Sequence, residues 1–226
     1  MHEAVKNLPL DVYTMLPSCV PATPFETSGF DLNSYDLSLL IDKPWVLGLA
    51  EMMNFPGVLN QDNNVMAKLE LAKSRGKCID GHAPYLHGKD LCAYIASGVK
   101  SDHECTTPDE AVEKLRLGMY VMIREGTAAK DLDALMPVLK TCNTRKCIFV
   151  TDDRHPADLK EHINGMVRRA VEAGVDPVKA VQIASLNTAE YFGLKNLGAI
   201  APGYKADLLI LPDLKTFKPD LVIKNG

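Results

Sequence analysis

Four predicted strands end in residue types that bind divalent metals. Imidazole and carboxylate groups together suit Zn, Fe or Mn. In parallel α/β folds the carboxyl ends of the strands form the ligand-binding edge, so residues distant in sequence converge there. The residues at these ends are Glu51, His82, His103 and Asp152. Their types and positions indicate a candidate metal site.

Each candidate also has an ordinary structural interpretation. A single Glu or Asp after a strand is usually a helix N-cap or a solvated loop residue, and a single loop histidine commonly lies on the surface. At the end of a further strand, Arg124 fits substrate binding and a structural salt bridge equally well. Asp131 and Asp133 are predicted to be solvated helix residues. The pattern alone leaves both interpretations of the strand ends open.

Strands and helices alternate along the chain and must position these residues. Helices are predicted at 89–96, from 107, at 163–171 and from 176; Thr107, Pro108 and Glu110 form a capping-box start. This alternation favours βα units around a parallel sheet, either doubly wound or part of a barrel. A complete (β/α)8 barrel takes about 250 residues, so this chain is short for one. Strands are predicted within the apolar runs 12–19, 45–51, 77–82, 98–103, 118–125 and 146–153.

The last part of the chain differs in character. Short β segments separated by turns are predicted after residue 197, with residues 206–211 as the strongest strand. We therefore predict two domains, an α/β domain at 1–193 and a small β segment at 194–226.

Composition excludes several classes of protein. A net charge of −4 gives no basic excess for binding nucleic acid. No run of 18 apolar residues predicts a membrane span, and the N-terminus lacks the pattern of a signal peptide. The six cysteines are scattered without a Cys-x-x-Cys pair, which indicates free thiols in a reducing cytoplasm.

Several motifs resemble the bacterial and archaeal adenine deaminase family of the amidohydrolase superfamily. The motif GAIAPGYKADL at 198–208 is similar to the superfamily's return into a small β-sandwich. The resemblance runs from about residue 12 to the end. The motifs more specific to the family are LPSCVPA at 16–22, GLAEMMNFPGV at 48–58, DGHAP at 80–84, LGM at 117–119, MIREG at 122–126 and TDDRHP at 151–156.

The resemblance implies a (β/α)8 barrel with two divalent metals, Mn²⁺ or Fe²⁺, that converts adenine and water to hypoxanthine and ammonia in purine salvage. By motif, Glu51 bridges the metals, while His82 and His103 bind the second metal. The resemblance also implies that Asp152 would bind the first metal and shuttle the proton, with Asp153 as the adjacent alternative. A metal-activated hydroxide would then attack the purine.

Two further residues are candidates beside these ligands. Glu125 is a candidate catalytic carboxylate, because the reaction needs an acid and a base. Arg124 and Glu125 are hypothesised to contact the purine, with Asp153 as another substrate-binding candidate.

The chain lacks one feature of the family it resembles. No His-x-His, which ends the superfamily's first strand, occurs in the sequence. The motifs therefore predict an incomplete barrel of about strands 3–8 followed by the start of the β-sandwich. A gene fragment, a split enzyme completed by an N-terminal segment, and a decayed remnant stay open. We expect a homo-oligomer or association with the missing segment. The alternative functions are another amidohydrolase acting on a cyclic amide or nucleobase, and a non-catalytic remnant.

Overall fold

The computed structural model describes residues 2–23 and 25–226, which divide into two compact units. The first unit comprises residues 1–104 and 117–119, and the second comprises 105–116 and 120–226. All six predicted strands are confirmed, and most are shorter than the apolar runs that predicted them. Within the described part of the chain, no helix is long and apolar enough to cross a membrane.

The first unit contains a three-stranded parallel sheet. Its strand order is β1-β2-β3, and β4 follows β3 through a hydrogen bond from Lys100 N–H to Ile79 O. Parallel strands are buried on both faces, which explains the apolar run in β2. The strands are β1 (Thr14–Leu16), β2 (Val46–Met52), β3 (Cys78–Gly81) and β4 (Ser101–Asp102); the helices are α1 (His2–Val5), α2 (Ser34–Ser38), α3 (Phe55–Leu59), α4 (Asn63–Ser74) and α5 (Gly88–Ala96).

Glycine permits the close approach of the strands in this sheet. A Cβ at Gly48 would overlap the carbonyl oxygen of Cys78 on the neighbouring strand. A Cβ at Gly81 would likewise overlap the carbonyl oxygen of Ser101. Glycine is therefore needed where β2 approaches β3 and where β3 approaches β4, close to the candidate ligands.

The second unit continues the alternation of strands and helices. Strands β5 and β6 pair in parallel, and β7 and β8 form an antiparallel pair. The antiparallel pair agrees with the β segments predicted after residue 197. The elements are α6 (Pro108–Arg116), β5 (Tyr120–Arg124), α7 (Leu132–Thr141), β6 (Cys147–Val150), α8 (Ile163–Glu172), α9 (Pro177–Ala184), α10 (Leu186–Tyr191), β7 (Leu208–Ile210) and β8 (Leu221–Ile223).

Helix α6 begins where the sequence predicts, with one difference at its cap. Thr107 Oγ1 accepts a 3.4 Å hydrogen bond from the backbone N–H of Glu110. The Glu110 carboxylate accepts its return bond from Thr106 N–H rather than from Thr107. The same carboxylate also binds Lys114 Nζ at 2.8 Å. Pairing with Lys114 one turn later explains why Glu110 and Lys114 are both buried in this helix.

Each unit has its own apolar core. Leu49, Leu69 and Leu91 are buried in the first unit, where α4 and α5 pack around the sheet. Ile123, Leu135 and Ala170 are buried in the second unit, where α7 and α8 contribute to the core. These cores hold the strands so that the residues at their carboxyl ends have fixed positions.

Candidate metal centre

Glu51 lies in the last part of β2, one residue before the strand ends. Its backbone is fixed by the sheet, and the Ser18 hydroxyl from the loop after β1 donates a hydrogen bond to the Glu51 carbonyl. The Ser18 carbonyl in turn accepts a 2.9 Å hydrogen bond from the buried ammonium group of Lys68. The Glu51 side chain is 40% exposed, so its carboxylate is available to a ligand.

Two histidines converge on this carboxylate. His82 directly follows β3 and His103 directly follows β4. His82 Nδ1 lies 2.9 Å and His103 Nε2 lies 3.0 Å from Glu51 Oε2. The two ring nitrogens are 3.3 Å apart. The structure thus joins Glu51, His82 and His103 at the carboxyl ends of successive strands, where the sequence places them.

A second carboxylate belongs to the same cluster. Glu104 Oε1 lies 3.4 Å from His82 Nδ1 and 3.3 Å from His103 Nε2. The sequence pattern did not single out Glu104, although this residue directly follows His103 at the strand end. A carboxylate adjacent to a candidate ligand was the available signal. Two imidazoles and two carboxylates therefore face one another within the first unit.

The side chains of this cluster shift one another's pKa values. Hydrogen bonds from His103 and His82 lower the pKa of Glu51 to about 2, against the effect of burial. Burial by itself would lower the pKa of His103, but the hydrogen bond to Glu51 and the charges of Glu51, Asp102 and Glu104 raise it. The carboxylates around His103 therefore favour a positive charge at this place in the cluster.

The donor set fits a divalent metal. Ligand atoms of Glu51, His82 and His103 all lie within 4.8 Å of one another. Mixed nitrogen and oxygen donors suit Zn, Fe or Mn, whereas Ca and Mg prefer oxygen alone. The mutual hydrogen bonds of the three side chains also satisfy the requirement that a half-buried carboxylate has partners.

Two buried side chains hold the backbone on either side of the histidines. The Tyr94 hydroxyl donates to Met52 O at 2.7 Å and accepts from His82 N–H at 3.0 Å. The Asp102 carboxylate accepts from Ala83 N–H at 2.7 Å and from Glu104 N–H at 3.0 Å. Tyr94 thereby ties β2 to β3, and Asp102 ties the residue after His82 to the residue after His103.

The second unit contains the remaining candidates. Arg124 ends β5 and is buried; its Nε donates to Asp131 Oδ2 at 2.9 Å and its Nη1 donates to Asp152 Oδ2 at 3.1 Å. The prediction that Asp131 is solvated is wrong, because this aspartate is buried as the partner of Arg124. Asp133 is exposed as predicted and lies 2.7 Å from Arg169 Nη2.

Asp152 stands two residues after β6 in an unusual backbone conformation. Its φ of 57° lies in the left-handed region, which non-glycine residues rarely adopt. Asp152 Oδ1 accepts a 2.7 Å hydrogen bond from Asp153 N–H, and Oδ2 is held by Arg124. Asp153 is exposed and contributes its backbone N–H to this turn. The turn therefore fixes the carboxylate of Asp152 rather than that of Asp153.

Glu125 follows Arg124 and points to a different partner. Its Oε1 accepts a short hydrogen bond from Arg169 Nη1 on α8. Its backbone N–H donates to Val150 O at 3.0 Å, which continues the pairing of β5 with β6. A Cβ at the next residue, Gly126, would lie 2.8 Å from Asp153 O and 2.9 Å from Thr151 O. Glycine at this position lets the loop after β5 approach the turn that carries Asp152.

Curated proteins that are similar to this chain in sequence include adenine deaminases. An adenine deaminase of Desulfatibacillum aliphaticivorans is 54% identical over 228 residues, covering 100% of this chain and 40% of that protein. Adenine deaminase 2 of Carboxydothermus hydrogenoformans gives the same identity and coverage. The chain thus spans 40% of the length of these curated relatives.

Solved structures and a family model agree on the fold. N-acetyl-D-glucosamine-6-phosphate deacetylase from Mycobacterium smegmatis matches 87% of this chain and 59% of its own, with a TM-score of 0.67 and 16% identity. The beta-aspartyl dipeptidase of Fervidobacterium islandicum matches 94% and 63%, with a TM-score of 0.61 and 16% identity. These similarities indicate an α/β fold of the TIM-barrel type. The model described as Amidohydrolase family matches residues 1–226, and the chain therefore belongs to the amidohydrolase family.

Proposed function

We propose that this chain carries part of the active site of an adenine deaminase, which hydrolyses adenine to hypoxanthine and ammonia. The observation that carries the proposal is the convergence of Glu51, His82 and His103 at three strand ends. Relatives named adenine deaminase that match the whole chain support the choice of substrate.

In this proposal Glu51, His82 and His103 hold a divalent metal, Mn²⁺ or Fe²⁺, as half of a two-metal site. A divalent metal bound there lowers the pKa of water, so that a nucleophile forms near neutral pH. Glu104 Oε1 faces the same two ring nitrogens as Glu51 Oε2, so its carboxylate is proposed as a further oxygen donor to this metal.

The second unit supplies the groups that move protons and hold the substrate. Asp152 is proposed as a metal ligand and proton carrier, and its fixed carboxylate and strained φ support a functional role. Glu125 is proposed as the second carboxylate for proton transfer and as a contact to the purine. Arg124 is proposed to position Asp152 and to approach the substrate, with Asp153 beside it.

The proposal also covers which parts of the barrel and of the β-sandwich this chain supplies. Residues 1–193 form about strands 3–8 of the barrel, and residues 194–226 begin a small β-sandwich, in agreement with the antiparallel pairing of β7 and β8. A segment with the His-x-His strand, supplied by another part of the protein or by another chain, would complete the ligands of the first metal, to which Asp152 also belongs. We propose that the protein acts in purine salvage in the cytoplasm and that it forms a homo-oligomer.

Adenine turnover tests the function directly. The loss of adenine is followed by ultraviolet absorbance with the purified chain and Mn²⁺, alone and with an added His-x-His-containing N-terminal segment from one of the relatives. We expect turnover in at least one of the two conditions and at least a thousandfold loss in Glu51→Gln. Glu70→Gln on α4 serves as the control, because Glu70 is exposed.

The same assay separates the alternatives. Turnover of dihydroorotate or an N-acetyl sugar without turnover of adenine would identify another amidohydrolase. Inactivity in both conditions, with the metal bound, would show that this chain does not catalyse the reaction and would favour a non-catalytic remnant.

A further inference from the structure

A buried lysine lies on the core-facing side of α4. The residues that this helix buries are Val65, Lys68, Leu69 and Ala72, so a charged side chain takes a place that is otherwise apolar. Lys68 is 4% exposed, and lysine is rarely buried to this extent without a charged partner. Among the described residues, the carbonyl oxygen of Ser18 is the one hydrogen-bond acceptor of its ammonium group, at 2.9 Å.

Holding an ammonium group in this position is costly. Burial lowers the pKa of Lys68, because the charged form loses its hydration. One neutral carbonyl returns only part of that loss, whereas an apolar side chain of similar length would fill the same space without it. Core packing therefore does not explain why a lysine stands here, and the group that it binds becomes the relevant observation.

Ser18 connects this lysine to the candidate metal ligand Glu51. Ser18 is 2% exposed, and its hydroxyl donates a hydrogen bond to the Glu51 carbonyl. The sulfur of the next residue, Cys19, lies 3.9 Å from the sulfur of Met52. Two successive residues of the loop after β1 thus contact the end of β2. The loop holds the segment that carries Glu51, and Lys68 holds the loop.

The backbone of Glu51 needs this support because the strand pairing is irregular there. Strand β2 advances three residues, from Leu49 to Met52, while its partner β3 advances two. The extra residue makes a β-bulge around Glu51, and a bulge changes the direction in which a side chain points. Within the bulge, the Glu51 carbonyl accepts hydrogen bonds from the backbone N–H of Met53 and from the Ser18 hydroxyl. The direction of the Glu51 carboxylate therefore depends on a contact from outside the strand.

We propose that Lys68 is a positioning residue for the metal centre and that it acts through Ser18 on the Glu51 carboxylate. Its ammonium group fixes the Ser18 peptide, and the Ser18 hydroxyl fixes the bulge. The bulge then aims the carboxylate at the ring nitrogens of His82 and His103. This inference rests on the proposed role of Glu51 as a metal ligand.

Mn²⁺ binding to the metal-free full chain tests the proposal, with free Mn²⁺ measured by its electron paramagnetic resonance signal. We expect Lys68→Met to weaken Mn²⁺ binding about 10- to 100-fold, the loss that is typical when a group supporting a metal ligand is removed. Lys73→Met is the control, because Lys73 lies on the same helix with its side chain 45% exposed. We expect the control to bind Mn²⁺ as the wild type does.

The variant Ser18→Ala tests the route from Lys68 to Glu51. Alanine keeps the backbone carbonyl that Lys68 binds and removes the hydroxyl that binds Glu51. We expect a similar loss of Mn²⁺ affinity, and we expect the double variant Ser18→Ala/Lys68→Met to bind about as weakly as the single variants, because both act through one contact. Losses that multiply in the double variant would overturn the proposal, as would wild-type affinity in either single variant.

Urea denaturation of the metal-free variants separates positioning from a structural role. We expect Lys68→Met to unfold at the same urea concentration as the wild type or at a higher one, because the substitution removes a buried charge. A lower midpoint in step with the loss of Mn²⁺ affinity, or a failure to fold, would make Lys68 a structural residue and would overturn the proposal.

The variant Glu51→Gln is titrated alongside the others. Mn²⁺ binding that depends on Glu51 but not on Lys68 rejects this inference and leaves the proposed function intact. Mn²⁺ binding that is unaffected by Glu51→Gln, or no binding by the wild type, rejects the metal centre and this inference with it.

Discussion

The hydroxyl of Tyr94 accepts a 3.0 Å hydrogen bond from the backbone nitrogen of His82. The same hydroxyl donates to Met52 O, so one fully buried side chain fixes the backbone beside two candidate metal ligands, Glu51 and His82. Burial raises the pKa of Tyr94, and the phenol therefore stays protonated and able to donate. Helix α5 thereby determines the spacing of ligands that lie on two strands.

Removing this hydroxyl should destabilise the first unit. We expect Tyr94→Phe to lower the free energy of unfolding by about 1–3 kcal/mol, because Met52 O and His82 N–H lose a buried partner. Urea denaturation followed by circular dichroism measures the change. Tyr35→Phe is the control, since Tyr35 is 70% exposed. Equal loss in both variants would contradict the role of the buried phenol.

Metal binding should depend on the carboxylate that both histidines contact. We expect Glu51→Gln to weaken Mn²⁺ binding at least a hundredfold, because an amide is a much poorer ligand than a carboxylate. Titration of the metal-free chain with Mn²⁺, followed by metal analysis, gives the affinity. Glu70→Gln should bind as the wild type does. Unchanged affinity in Glu51→Gln would show that the metal lies elsewhere.

Asp131, which is buried, should help to position Asp152 because Arg124 contacts both aspartates. In Asp131→Asn, Arg124 loses the charge on its Nε side, and we expect a loss of about 1.5–3 kcal/mol in unfolding free energy. We also expect lower adenine turnover, since Arg124 also holds Asp152, the proposed proton carrier. Asp133→Asn is the neighbouring control, because Asp133 is exposed. Wild-type turnover in Asp131→Asn would show that the reaction does not depend on the contact between Asp131 and Arg124.

The stability of the chain should fall at alkaline pH. Burial raises the pKa of the Cys147 thiol from 9.0 to about 12, so the unfolded chain releases this proton first. The unfolded state binds fewer protons between those values, and the free energy of unfolding falls by about 1.4 kcal/mol per pH unit from this group. Urea denaturation between pH 8 and pH 10.5 measures the slope.

Cysteine variants measure how much the Cys147 thiol contributes to the loss of stability at alkaline pH. Cys147→Ala should flatten the decline that begins near pH 9, although it lowers stability overall by leaving a small cavity. Cys92→Ala is the matched control, since Cys92 is exposed. An identical slope in Cys147→Ala and the wild type would assign the alkaline loss to other groups.

A single methyl group should disrupt the sheet that carries the metal ligands. We expect Gly48→Ala to destabilise the chain by several kcal/mol or to prevent folding, because the added Cβ would overlap the Cys78 carbonyl. Gly29→Ala is the control, because no atom lies within 4 Å of a Cβ there. Denaturation midpoints of the two variants provide the comparison. A small effect at Gly48 would mean that β2 and β3 separate easily.

Much of the site was determined by local sequence. The apolar runs that end in Glu51, in His82 and in His103 predict strands and strand ends, and the motifs around them predict the family. Parallel packing then brings such ends together, because all strands of a parallel sheet point the same way. The start of α6 was predictable for a similar reason, since a cap depends on neighbouring residues.

Tertiary structure decided which partners these side chains have. Asp131 was assigned to solvent from its helix position, yet Arg124 from the preceding strand buries it. Glu104 joined the histidine cluster only when β3 and β4 lay side by side. Arg154 and Glu125 are 29 residues apart in the sequence, and only folding brings both to one cavity. Local patterns specify strands and caps, whereas long-range hydrogen bonds depend on packing between segments that no local pattern encodes.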